Sequence, residues 1–124
     1  MKCPKCQGTM QPVTTDAGTV DRCQDCGGMW FDRAEVKSQA AHAAEIDVGS
    51  AERGARFNSV DRINCPKCAN TPLIRMVDND QPHIWFEACS SCSGRFFDAG
   101  EFKDLNERSL ADIVRRYTTP GRSA

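Results

Sequence analysis

Eight cysteines in four C-x-x-C pairs constrain this 124-residue chain more than any other feature. The pairs are Cys3/Cys6, Cys23/Cys26, Cys65/Cys68 and Cys89/Cys92. Sixteen residues separate Cys6 from Cys23, and twenty separate Cys68 from Cys89. Paired C-x-x-C motifs about 15–20 residues apart are a zinc-site pattern, and each gap here has room for two short strands and a turn. Units below about 40 residues seldom fold on apolar burial alone and usually need metal or disulfides.

The spacing belongs to a longer internal repeat. C-P-K-C stands at 3–6 and again at 65–68. After the second pair of each set, an offset of 66 aligns Gly28 with Gly94, Phe31 with Phe97, Asp32 with Asp98, Glu35 with Glu101 and Lys37 with Lys103. The second copy carries four extra residues in its hairpin. Self-similarity of this kind sets the domain map. Residues 1–46 form the first unit, 47–63 a linker, and 64–124 the second unit with a C-terminal helical segment. The linker has two glycines, serines and mixed charge, with a helical turn expected around Phe57 and Val60.

Local signals fill in each unit. β-Branched and aromatic runs broken by Asp, Asn, Gly and Pro predict a hairpin between the cysteine pairs. Alternation puts Ile84, Phe86 and Ala88 on one strand face and His83, Trp85 and Glu87 on the other. Gly8, Gly28, Asn70 and Gly94 each lie two residues after a C-x-x-C, where a tight turn calls for positive φ and aims amides at sulfur. Trp30 and Phe96 are expected to cover the hairpin or the knuckle. Asp32-x-x-Glu35 and Asp98-x-x-Glu101 read as capping boxes that start helices, and not as catalytic acids. The first helix is expected from about Arg33 to Ile46, with a thin apolar face of Val36, Ala40, Ala43 and Ala44. The second starts near Ala99 with Phe102 and Leu105 inward. Beyond it, Ser109 and Asp112 cap a segment in which Leu110, Ile113, Val114 and Tyr117 follow helical spacing, a core or dimer stripe ended by Pro120 and Gly121.

Composition narrows the function. The chain is 40% apolar but only 7% aromatic, so no large shared core is evident. Each half is therefore expected to fold around its own metal and to unfold under a chelator. Sixteen basic and 17 acidic residues give a formal charge of −1. Two zinc–tetrathiolate centres bring it to about −5. Such a chain is a poor electrostatic match for nucleic acid. Arg53, Arg56, Arg62, Arg115, Arg116 and Arg122 read as scattered solvated charges. The chain opens inside a motif, M-K-C-P-K-C, so no export signal is expected, and no apolar run of about 18 residues is present for a membrane span. A reducing cytoplasmic setting is expected, where cysteines favour metal over disulfides, with redox pairs as the lesser reading. His42 and His83 read as structural or solvated. No Ser-His-Asp set, P-loop or dinucleotide fingerprint is present, so neither catalysis nor a small-molecule substrate is expected.

C-P-K-C followed by C-x-x-C-x-G-x-W/F-F-D-x-x-E resembles the transcription factor IIB-type zinc ribbon proteins, a family of small zinc-finger proteins. The likeness covers nearly all of both halves, excluding the connector and the tail beyond Leu105. It implies a small metal-bound α+β fold of two tandem zinc ribbons, each followed by a capped helix. It also implies one tetrahedral Zn2+ per copy, held by Cys3, Cys6, Cys23 and Cys26 in one site and by Cys65, Cys68, Cys89 and Cys92 in the other. The second copy departs from the pattern at Ser93 and Phe96, neither a ligand. Two rivals stand beside this assignment. Four sulfurs also suit iron in an electron-transfer role. Three C-x-x-C-x-G strings resemble the cysteine-rich zinc domain of Hsp40-type chaperones, in which non-adjacent pairs share a metal.

The functional expectation is a macromolecular adaptor that binds a protein partner or a second copy through its second ribbon and C-terminal segment. The alternative is a transcription-associated nucleic-acid binder using Lys5, Lys67, Trp85 and the central and C-terminal arginines, with Trp85 stacking a base.

Overall fold

The computed structural model describes residues 1–33, 35–60 and 62–106. The expected C-terminal stripe at 109–117 and the C-terminal arginines lie outside them. Both cysteine-paired segments form the hairpins their patterns predict. β1 (Met10–Thr15) and β2 (Gly18–Cys23) turn through two residues, Asp16 and Ala17, with Val13 opposite Val20. β4 (Ile74–Val77) and β5 (Trp85–Ala88) are joined by a longer loop. In that loop the Asp78 carboxylate accepts from the amides of Asp80 and Gln81 at 3.1 and 2.9 Å. Each hairpin gains a short third strand from its aromatic string, β3 (Met29–Phe31) and β6 (Arg95–Phe97).

The halves do not remain separate. β3 and β6 pair antiparallel, giving one six-stranded sheet in the order β1-β2-β3-β6-β5-β4. In the register Met29↔Phe97, Trp30↔Phe96 and Phe31↔Arg95, the equivalent residues Trp30 and Phe96 face each other. Asp21↔Trp30 in one half is likewise matched by Glu87↔Phe96 in the other. The repeat thus builds a pseudo-two-fold, isologous contact within one chain.

Alternation along β3 and β6 sends side chains to two cores. On the helix side, Val20, Met29, Phe31, Ile84, Phe86, Phe97 and Phe102 are buried together. Phe31 meets Phe97 edge-on at 5.6 Å and Phe102 at 4.3 Å, so aromatics from both halves share one cluster. On the other side Trp30 and Phe96 lie among the cysteines with Met10, Ile63 and Leu73. The low aromatic content suggested no shared core. The structure has one on each face, because the few aromatics concentrate at the central strand pair.

Two glycines make this contact close enough. A Cβ on Gly28 would run into the Phe96 ring, and one on Gly94 into the Trp30 ring. The expected reason for these glycines, positive φ, does not hold there. Positive φ falls one residue earlier in three knuckles, at Gln7 (65°), Gly27 (78°) and Ser93 (64°). In these three, the first cysteine's amide donates to the carbonyl of Gly8, Gly28 or Gly94 at 2.8, 2.8 and 2.9 Å. The fourth knuckle is one residue wider. Cys65 donates to Thr71, which moves the positive φ to Asn70.

The first helix is shorter and more broken than its spacing predicts: α1 (Glu35–Ser38), a 3-10 turn (Ala40–His42) and α2 (Ala43–Ile46). The break is at Gln39, which is fully buried. Its amide donates to the Gly18 carbonyl at 3.1 Å, and its Oε1 accepts from the Thr15 hydroxyl at 2.8 Å. The inward apolar residues are Ala43 and Ile46, with Val36 half-buried. The connector holds α3 (Ala51–Phe57), N-capped by the Ser50 hydroxyl and placed earlier than the expected turn. Gly54 rests against the Ala99 backbone. Residues 101–106 form α4.

Replacing Gly28 with alanine forces a methyl group into a fully buried ring, and overpacking of this kind costs about 1–3 kcal/mol. At Gly8 the atoms nearest an added Cβ all belong to the movable side chain of Asp25. Thermal melts of the zinc-loaded protein should therefore fall clearly for Gly28→Ala and Gly94→Ala and little for Gly8→Ala. Equal shifts for all three would refute the ring-contact explanation.

Candidate metal centres

The four sulfurs of Cys3, Cys6, Cys23 and Cys26 lie within 4.8 Å of one another, and so do those of Cys65, Cys68, Cys89 and Cys92. Adjacent pairs therefore share each site, and the interleaved pairing of the Hsp40-type reading is excluded by geometry. A tetrahedron of sulfurs about 2.3 Å from zinc has edges of about 3.8 Å. Cys3 and Cys26 are 3.7 Å apart, Cys6 and Cys23 3.3 Å, and Cys65 and Cys92 3.7 Å. The ligand type, number and spread fit zinc. Four thiolates close the shell and leave no position for water, which makes the sites structural.

The knuckle backbone prepares sulfur for negative charge. Amides of Gly8 and Gly28 approach Cys6 and Cys26 at 3.4 Å. Those of Asp25, Lys67 and Ser91 approach Cys23, Cys65 and Cys89, also at 3.4 Å. Four thiols so close cannot all ionise unaided. Donation from Cys3 draws Cys26 down to about 5, against the opposing effect of its burial. At Cys89 burial is the largest influence and raises the pKa, but the amides of Cys92 and Ser91 and neighbouring thiols outweigh it, leaving it near about 7. Sharing with Cys26, together with burial, pushes Cys3 up. Burial raises Cys23 to about 11, and the hydrogen bond with Cys92 raises Cys68 to about 12. A divalent cation reverses this frustration and lets every sulfur ionise.

The model for the transcription factor zinc-finger family matches residues 2–41 and 64–108, one region per half. The chain belongs to this family. No curated protein and no solved structure gave a match. The tandem zinc ribbons place the family's repeated string in a role that sequence reasoning missed. The lysine of each C-P-K-C reaches the aspartate of the other ribbon. Lys5 Nζ lies 2.7 Å from Asp98 Oδ2 and 3.2 Å from Glu87 Oε1, and it donates to the Phe57 carbonyl at 3.0 Å. Lys67 Nζ lies 2.6 Å from Asp32 Oδ2, whose Oδ1 accepts from Trp30 Nε1 at 3.1 Å. Burial raises Asp98 to about 6, with Lys5 pulling the other way.

These contacts correct two sequence expectations. Asp98 does not cap α4; its Oδ2 holds Lys5. The cap comes from the buried Asp47 of the connector, which accepts from the amides of Gly100 and Lys103 at 2.9 and 2.8 Å. Half of the expected box survives in the first ribbon, where Glu35 accepts from the Asp32 amide at 2.7 Å. Lys5 is also unavailable to nucleic acid, because its side chain is 0% exposed. Lys67 is exposed but paired. Nothing but the recurrence of Lys5 and Lys67 at equivalent positions could have signalled this exchange.

Two predictions follow from this chemistry. Several thiols hold their protons without metal, so zinc uptake releases protons and apparent affinity rises with pH through the neutral range. Calorimetry in buffers of different ionisation enthalpy should show release of more than one proton per zinc; a buffer-independent heat would contradict it. Replacing Lys5 with methionine strands Asp98 in the interior and leaves Glu87 only its pair with Arg75, and breaking a buried pair costs about 3–5 kcal/mol. Lys67→Met removes an exposed pair worth no more than about 1 kcal/mol. Comparable melting shifts for the two zinc-loaded variants would rule out this asymmetry.

Proposed function

We propose that this zinc protein is a non-enzymatic protein-interaction module, and that its second ribbon carries the contact surface. The observation behind this reading is the difference between the two sheet edges. β1 exposes Gln11, Pro12 and Thr14, and proline and polar side chains blunt an edge against pairing. β4 exposes Ile74, Met76 and Val77 at 54%, 45% and 44%, and neighbouring Trp85 at 41%. Ile74 and Met76 share the face of Phe86, whereas Val77 lies opposite Trp85 on the other face. Apolar groups on both faces of one strand leave the edge itself as their common feature. Its single charge, Arg75, is neutralised by Glu87 at 3.2 Å and stacks 5.2 Å from the Trp85 ring. The occupant that suits such an edge is an extended, uncharged partner segment with alternating apolar residues, added as a further strand.

The nucleic-acid reading has less support. Of its named contacts, Lys5 is buried and Lys67 is paired with Asp32, leaving exposed Trp85 and the exposed Arg53, Arg56 and Arg62 among the described residues. No described helix is long and apolar enough to cross a membrane. Random-peptide selection against the zinc-loaded chain should enrich alternating apolar segments that perturb β4 and β5 amide signals, and Ile74→Lys with Met76→Lys should abolish their binding. Peptides that bind elsewhere, or salt-sensitive capture of labelled oligonucleotides with no β4 peptide binding, would sink the proposal.

A further inference from the structure

The two zinc ribbons are tied to each other at three levels. Lys5, between ligands Cys3 and Cys6, is anchored on Glu87 and Asp98, which flank ligands Cys89 and Cys92. Lys67, between Cys65 and Cys68, is anchored on Asp32, just beyond Cys26. Trp30 and Phe96 each fill the space left by the other ribbon's glycine. Cysteines from both sites belong to one apolar cluster with these rings. On the opposite sheet face, Phe31 is packed against Phe97 and Phe102. Neither ribbon keeps a complete core when the other is unfolded.

We propose that the two sites load zinc cooperatively, so that the protein responds to zinc as a single switch between a largely unfolded chain and a doubly loaded fold. Metal binding here supplies folding energy. The first ion must order one ribbon whose central strand has no partner and whose buried lysine or aspartate lacks its counter-charge. The second ion orders a ribbon against a surface already in place. The ordering cost falls mainly on the first step, and the second binding is tighter. The coupling runs through the chain's own contacts, whatever β4 binds.

The test uses the full chain, stripped by chelator under reducing conditions and titrated with zinc under a competing chelator. Native mass spectrometry counts molecules carrying no, one or two ions. With Cys65→Ser/Cys68→Ser, the intact first site should bind zinc at least about tenfold more weakly than the first site of the wild-type chain whose second site is filled. NMR signals of the β1–β2 hairpin should weaken in parallel at subsaturating zinc. Lys5→Met keeps all eight sulfurs and should raise the singly loaded fraction, because a contact that transmits the coupling is lost. First-site affinity within about threefold of wild type in the double-serine chain would overturn the proposal. An unchanged singly loaded fraction in Lys5→Met would overturn the assigned route through Lys5.

Discussion

The pairing of Trp30 with Phe96 across β3 and β6 is where the rest of the molecule is decided. Three-residue strands supply few hydrogen bonds. Isolated hairpins are marginal in water, and three or more strands with an apolar face are needed for independent stability. Joining two such strands at their equivalent residues doubles the sheet and gives both faces something to bury. The rings can approach because Gly28 and Gly94 present bare backbone. The lysine–aspartate exchange then fixes orientation, since each charge finds its partner only when the ribbons are antiparallel and in register.

Metal and core divide the work of stabilisation. The zinc sites fix the four knuckles, where the backbone turns too tightly to bury much apolar surface. The Phe31–Phe97–Phe102 cluster fixes the helix-side face, which holds no cysteine, and Trp30 and Phe96 join the two sets of knuckles on the other. A buried ion pair such as Lys5–Asp98 adds little net stability compared with an apolar replacement, because desolvation offsets attraction. Its contribution lies in specificity, as a slipped or reversed docking would bury both charges unpaired. The exposed Lys67–Asp32 pair carries a smaller penalty for mispairing, so the first ribbon's lysine sets the register more strictly.

The two four-cysteine clusters were legible in the sequence because their spacing reports a local chain geometry. The hairpins, the inward alternation of Ile84, Phe86 and Ala88, and the placement of Trp30 and Phe96 against the knuckles were legible for the same reason. What escaped was non-local. Gly28 could be read as a turn residue, but its real neighbour is a ring 68 residues away. Asp98 has the local pattern of a cap, yet a lysine near the N-terminus takes its carboxylate while Asp47 caps α4 from the connector. Gln39 broke a helix that periodicity drew as continuous, because a buried amide in the helix found partners on the β1–β2 hairpin. One-dimensional patterns register the demands of a turn or a ligand shell, and they are silent on which distant surface fills a vacancy.

Carrying both copies in one chain changes what each is free to become. Two separate ribbons making this contact would meet only at sufficient concentration, whereas the connector fixes a high effective concentration. It also removes the requirement that the halves stay identical. The first ribbon puts a buried lysine into the second and ends its sheet in a polar, proline-bearing edge. The second has the longer hairpin, the exposed lysine and the edge lined by Ile74, Met76 and Val77. An exposed apolar edge is an aggregation hazard in a free-standing ribbon. Docked against the first ribbon, which secures the other side of its sheet, the same ribbon can keep that edge exposed.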